Sequence, residues 1–331
     1  MSGRRQSPTR HGPRVVCIGG GHGLAATLRA MRRVSDNITG VVGVSDDGGS
    51  SGRLRDEFGL LPPGDLRMAL AALCGDDTWG RTWSRVVQHR FDGSGELEGH
   101  ALGNLLIAAL WEETGDVVSG LDWVASLLDA QGRVLPVSLS PLQIVADISG
   151  TDLARPDDVA QVHGQVAVAT SPGQVERIWV EPLNPVACAE AVEAVESADV
   201  IILGPGSWYT SVIAPLLVPE LLSAVRNSSG RRILVLNLVA QRGETSGFTP
   251  GRHLQALVDQ FGDFPVEVVI ADPRAVTDSA ALAKSCEKLL GAELSLRHVT
   301  STNAGSGVHD PDLLAAAFAD SIGRGKMPPW H

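Results

Sequence analysis

The chain has 331 residues, 44% hydrophobic and 20% charged, with a formal net charge of −11. That is enough apolar material for one large α/β domain and too much for a disordered protein. The acidic balance, the absence of a basic stripe and an aromatic content of 4% argue against a nucleic-acid partner.

In chain order, residues 1–13 read as a polar, disordered extension, and 14–324 as a single domain with a tail over 325–331. Arg14 to Ile18 is a short β-branched strand running into Gly19-Gly20-Gly21-His22-Gly23, with a helix from Leu24 to about Arg33. Ile38 to Ser45 is the next strand, apolar enough to be buried on both faces. Strand, glycine turn, helix and strand make a right-handed βαβ unit. Pro62-Pro63-Gly64 breaks the chain before a helix through Leu73 that Asp65 can cap, and another helix is expected from Asn104. Residues 134–182 change texture, with short strands at 137–140, 142–148, 165–169 and 175–180 and no intervening helix, so a small antiparallel excursion is predicted. The α/β rhythm then resumes: a helix over 185–198, strands at 199–203, 233–238 and 266–271, a helix over 279–290, a strand over 294–299 and a helix over 310–322. A mainly parallel, doubly wound Rossmann-like sheet with helices on both faces follows.

Four cysteines, Cys17, Cys74, Cys188 and Cys286, are far apart, and neither a signal peptide nor a run of ~18 apolar residues is evident, so a cytoplasmic protein with reduced thiols and no membrane span is expected. Lys284, Lys288 and Lys326 are the only lysines. A Walker-type loop near the N-terminus is therefore excluded, and anions fall to arginine, backbone amides and helix starts. No zinc-ligand spacing and no nucleophile elbow is present.

The densest stretch is Asp46-Asp47-Gly48-Gly49-Ser50-Ser51-Gly52-Arg53-Leu54-Arg55, directly after the second strand. Its amides, hydroxyls and Arg53 suit phosphate oxygens. Its carboxylates suit ribose hydroxyls or a hydrated Mg2+, with Asp46 and Asp47 as the candidate ligands. Gly21-x-Gly23-x-x-Ala26 fits a dinucleotide fingerprint loosely, with the aspartates where a ribose-binding acid would stand. Gly204-Pro205-Gly206-Ser207 repeats the pattern, and Ser207, Thr210 and Ser211 can bind phosphate or cap a helix. Tyr209, the only tyrosine, can cover a base or pack internally. His100 is an acid/base candidate or a structural residue, and His309-Asp310 most simply caps the last helix. Turns at 19–23, 46–53, 204–211 and 237–245 should all face the carboxyl edge of the sheet, where such folds bind ligands.

Taken in order, Gly19-Gly-Gly-His-Gly-Leu24, Asp46 to Arg55, Leu61-Pro-Pro-Gly-Asp-Leu-Arg67, His100-Ala-Leu-Gly-Asn-Leu105, Gly204 to Ser211, and Asn237 through Gly243-Glu244-Thr245 resemble the gluconeogenesis factor family, the YvcK-like branch of the superfamily that also holds the 2-phospho-L-lactate transferases (CofD). The resemblance runs from Val15 to about Ile322. It implies a UDP-sugar-binding regulator, of UDP-N-acetylglucosamine in particular, linked to central carbon metabolism, cell shape and peptidoglycan precursor supply. It also implies unidentified protein partners, and self-association is expected. On this reading Gly19 to Gly23 and Gly204 to Ser207 cradle phosphates, Asp46 or Asp47 holds ribose or a metal, and Arg53 and Arg67 neutralise charge. Gly48, Gly49, Ser50, Ser51, Asp65, His100, Asn104, Tyr209, Thr210, Asn237, Glu244 and Thr245 complete the expected ligand-binding set. The alternative is a magnesium-dependent phospholactyl transferase acting on a deazaflavin; an NAD-dependent oxidoreductase rests on the loose fingerprint alone. Gly-Gly-Ser-Ser-Gly-Arg after the aspartates, where the transferases resemble Gly-Leu and Pro-Asp-Leu-Asp-Thr, favours the regulator branch. His22, Met68 and Ala240 depart from that branch's usual threonine, asparagine and threonine.

Overall fold

The computed structural model describes residues 12–323, apart from 153, 156, 242 and 302–306. The expected N-terminal extension and tail therefore lie almost wholly outside the described residues, as does Arg242. The chain opens with β1 (Val15–Gly19), α1 (Gly21–Met31) and β2 (Ile38–Val42). Every residue of β1 is buried, as a strand between two helical layers requires. Then come α2 (Gly49–Phe58), α3 (Gly64–Leu73), α4 (Thr78–Gln88), α5 (Leu102–Thr114), α6 (Val117–Leu128) and β3 (Arg133–Pro136).

The excursion consists of β4 (Gln143–Ser149), β5 (Val159–His163), α7 (Gln165–Thr170) and β6 (Gln174–Glu181). Beyond it lie α8 (Ala189–Glu196), β7 (Val200–Leu203), a π-helical turn at Trp208–Ile213 and a 3-10 turn at Ala214–Leu217. The chain continues through α9 (Pro219–Asn227), β8 (Arg231–Val235), α10 (Pro250–Phe261) and β9 (Val268–Ala271). The last elements are α11 (Ser279–Leu290), β10 (Glu293–Leu296) and α12 (Pro311–Gly323).

The large sheet is parallel throughout, in the order β10-β9-β8-β7-β1-β2-β3, with Val15 of β1 beside both Ile38 and Val200. From β1 the chain winds outward to β2 and β3; from β7 it winds the opposite way. Right-handed crossovers put α1 and α9 on opposite faces, so the strand order reverses between β1 and β7. The smaller sheet is antiparallel, in the order β5-β4-β6. The doubly wound fold and the antiparallel excursion thus match the sequence expectation. Several details differ. Residues 133–136 join the parallel sheet as β3, the strand expected at 137–140 is reduced to an isolated bridge from Ser138 to Ala187, β5 forms where no strand is expected, and the strand expected at 165–169 is helical. Gly164, at φ +99, turns the chain there, and the Asp47 carboxylate accepts from the Val166 N–H at 3.0 Å, capping α7 from another part of the chain. All four cysteines are buried and unpaired. No single helix among the described residues is long and apolar enough to cross a membrane.

Candidate functional site

A cleft of about 360 Å³ opens at the point where the strand order reverses. Its floor is the start of α1 (Gly20 to Gly23 and Ala26), and Pro205, Gly206, Ser207 and Ser211 beyond β7 form the facing wall. Asn237 to Val239 and Gln241 beyond β8, Gly307 to His309, Asp65 from α3 and Gln165 from α7 close the remaining sides.

The two glycine turns touch backbone to backbone. A Cβ on Gly23 would lie 2.0 Å from the Pro205 carbonyl oxygen, and the Thr27 hydroxyl donates to the Gly204 carbonyl at 3.1 Å. Glycine at 23 is therefore a packing requirement. Gly21 has a different reason, its left-handed φ of +58.

The two helical starts at this edge differ. The Trp208–Ile213 turn is satisfied from within the protein. Asn237 clamps the Gly206 peptide, its Oδ1 accepting from N–H at 3.1 Å and its Nδ2 donating to C=O at 2.8 Å. Gln241 Oε1 accepts from the Trp208 N–H, and its Nε2 donates to the Ser207 hydroxyl. The buried Glu244 accepts from the Tyr209 and Thr210 N–H groups and, at 2.5 Å, from the Thr210 hydroxyl. Burial raises the Glu244 carboxyl above its ordinary range. Thr245, fully buried, accepts from the Gln241 N–H and holds that turn. Tyr209 is also buried, its hydroxyl 3.5 Å from the Val175 carbonyl, so it packs between the sheets instead of facing the cleft. By contrast α1 follows Gly20, which supplies no side-chain cap; Asp65 accepts from the Gly21 N–H, and the next residues of this start line the cleft.

Asp65 stands at this helix start. Burial above all, then its neighbour Asp46, pushes its carboxyl up to about 7, while the Gly21 N–H and Arg67 pull the other way. Gly20 and Gly64 leave room for this pair: a Cβ on Gly20 would sit 2.5 Å from Asp65 Oδ2, and one on Gly64 2.9 Å from Asp46 Oδ2.

The 46–53 segment is more divided than its sequence suggests. Asp46 Oδ1 accepts from the Gly48 N–H, and Gly49 takes a left-handed φ of +48 to open α2. Asp47 turns toward the α7 start, its Oδ2 against Gly164. The two aspartates do not share a site. The Ser50 hydroxyl is buried between His100 Nδ1 and Asn104 Nδ2, each at 3.0 Å, a cluster that fixes α2 to the start of α5. The Ser51 side chain packs against Gly64. Arg53 is exposed and donates to the carbonyls of Glu96 and Glu98, bracing that loop. Arg67 is 4% exposed, its Nε without a hydrogen-bond partner among the described residues, as is Asn104 Oδ1. Burial and Arg90 lower the Arg67 guanidinium to about 10, with Asp65 and Asp46 opposing.

Of the expected residues, the structure thus brings Gly20 to Gly23, Asp65, Gly206, Ser207 and Asn237 to one cleft. Asp46, Arg67 and Asn104 lie in the polar layer beneath α2 and α3, while Glu244, Thr245 and Thr210 build the wall. Gln165 and His309 line the cleft without having been singled out for it. His309 Nε2 lies 3.3 Å from the Leu236 carbonyl, and burial lowers its pKa to about 4; Asp310 caps α12 in its place. Gln165 reaches Ser45 at 3.1 Å from a helix that the local sequence does not announce.

A family model described as 2-phospho-L-lactate transferase CofD matches residues 15–299. A Mycobacterium leprae protein, provisionally named a gluconeogenesis factor, is 47% identical over 306 residues, covering 92% of this chain and 85% of its own. The gluconeogenesis factor of Listeria innocua is 33% identical over 318 residues, 92% and 94% of the two chains. A crystal structure of a UPF0052 family protein from Bacillus halodurans superposes with a TM-score of 0.80 at 33% identity, covering 93% of this chain and 98% of that one. With this fold, this arrangement of turns and these relatives, the chain belongs to the CofD family, alongside the proteins named gluconeogenesis factor.

Proposed function

We propose that the cleft binds a nucleoside-diphosphate sugar of the UDP-N-acetylglucosamine type, and that the protein is a binding regulator. The observation that carries this reading is the start of α1 at the strand-order reversal, where Asp65 meets the Gly21 N–H and the next amides have no protein partner among the described residues, beside a second helical start whose amides are already taken. Backbone amides at a helix start suit a diphosphate, and the Ser207 and Ser211 hydroxyls offer partners for sugar hydroxyls. The kinship with gluconeogenesis factors supports a role in carbon metabolism. Its extension to cell shape and peptidoglycan precursors rests on the resemblance of the sequence motifs.

Thermal unfolding against UDP-N-acetylglucosamine, UDP-glucose, NAD and a deazaflavin, each with and without Mg2+, tests this. A ligand at ~100 times its Kd stabilises by about 2.7 kcal/mol. A rise with UDP-sugars alone supports the regulator; no rise with any UDP-sugar refutes it.

The transferase reading draws on one specific observation, the Asp46–Asp65 neighbourhood. Asp47 is engaged by Val166, so Asp46 and Asp65 are the carboxylates that would hold Mg2+. No group of three His, Cys, Asp or Glu side chains among the described residues forms a metal site, so substrate phosphates would have to complete the shell. Bound there, the ion would supply charge neutralisation at a transferring phosphoryl group. Magnesium-dependent product from a deazaflavin and an activated phospholactate would establish this reading over the first.

A further inference from the structure

The far end of α1 carries a second cleft, of about 280 Å³, away from the strand-order reversal. Arg29 reaches it from the last turn of α1, Arg32 and Arg33 from the residues just after that helix, and Arg81 and Arg85 from α4. Asp76 is the one carboxylate in its lining. In a chain with net charge −11, five guanidinium groups around one concavity are a marked local inversion of charge.

Three of the five have protein partners. Arg32 pairs with Asp76 at 3.0 Å and donates to Gln131, Arg33 pairs with Asp312 at 2.6 Å, and Arg81 donates to the Asp76 carbonyl. For the guanidinium groups of Arg29 and Arg85 no hydrogen bond or ion pair exists among the described residues. Arg29 is half-buried, and burial together with Arg32 lowers its proton affinity, so an anion beside it would relieve a standing cost. A cation in the last turn complements a helix dipole, which accounts for one arginine at the end of each helix. It does not account for five converging on a shared hollow.

We infer that this cleft is a second anion site, which takes a small phosphorylated molecule. Planar guanidinium forks bind phosphate oxygens two at a time, and no lysine is present in the lining to act as a simple point charge. The volume suits a molecule of sugar-phosphate size. Since α1 is eleven residues long, the two sites lie roughly 16 Å apart along one rigid element. The site is thus placed to report a phosphorylated metabolite to the first cleft, and it stands whether or not that cleft binds a UDP-sugar.

The test is calorimetric titration of the full chain with inorganic pyrophosphate, using wild type, Arg29→Gln/Arg85→Gln and Gly23→Ala, the last disabling the first cleft. The double variant should lose a binding component by tenfold or more, and Gly23→Ala should keep it. Because neither arginine has a hydrogen-bond or ion-pair partner to lose, the ligand-free double variant gives up only the small helix-dipole contribution and should still unfold cooperatively close to wild type, which separates lost binding from lost folding. An unchanged titration in the double variant, or no pyrophosphate binding by Gly23→Ala, overturns the site. Citrate binding more tightly than pyrophosphate overturns the phosphorylated class.

Discussion

Gly23→Ala is the sharpest perturbation of the cleft, because one methyl group separates packing from every other contribution. An alanine Cβ at 23 would stand 2.0 Å from the Pro205 oxygen, 2.6 Å from its carbonyl carbon and 2.9 Å from Gly206 Cα. All three are backbone atoms, so no side chain can swing aside, and the two turns must part by about 1 Å. Overpacking of this kind costs about 1–3 kcal/mol, and the backbone-to-backbone contact places it at the upper end. At about 2–4 °C per kcal/mol, Tm should fall by roughly 4–12 °C. Ligand affinity should fall further, because the parted turns form the floor and wall of the cleft. Gly21→Ala is the control: its Cβ meets nothing within 4 Å, and its left-handed φ costs only about 1–2 kcal/mol. Differential scanning calorimetry and UDP-N-acetylglucosamine titration of both variants decide the matter. A Gly23→Ala protein that melts and binds like wild type would refute the packing argument.

Asn237→Ala should remove both hydrogen bonds to the Gly206 peptide, lowering stability by about 1–3 kcal/mol in urea titrations, with Asn237→Asp no milder because its second oxygen would face the Gly206 carbonyl that Nδ2 now donates to. Arg53→Ala should leave ligand affinity unchanged and speed proteolysis of the 92–99 loop, since Arg53 braces that loop's carbonyls. His309 gives a pH signature. Its folded pKa of about 4 lies below the ordinary value of 6.5, so the unfolded chain binds the proton first as pH falls. Stability is fully present above about 6.5 and lost toward 4, on the order of 3 kcal/mol from this group. Urea midpoints at pH 7 and pH 4.5 should therefore differ less in His309→Gln than in wild type.

The parallel sheet is legible because its strands are short apolar runs punctuated by glycine turns, and the helix over 279–290 is legible to the residue at both ends. Helices α4 and α6 escaped notice although Asp77 and Asp116 cap them, accepting from the Gly80 and Ser119 N–H groups at 2.6 and 2.7 Å. Each looks locally like any polar turn. Helix α7 was illegible for a better reason, since its cap is Asp47, more than a hundred residues away. The glycine turns marked the right edge of the sheet, but composition alone could not distinguish amides that face the cleft from those already held by Asn237, Gln241 and Glu244. The arginines show the same limit. Arg53 and Arg67 look equivalent in sequence, yet one grips exposed backbone carbonyls while the other is buried beside Asp65 and Asp46.

The most direct test of the central claim is a crystal structure of the protein with UDP-N-acetylglucosamine. Density for the diphosphate is expected over the Gly20–Gly23 amides, between the β1 and β7 turns, with Asn237 still clamping Gly206. Density for the nucleotide elsewhere, or a diphosphate seated on the Trp208–Ile213 turn with Glu244 displaced, would contradict it.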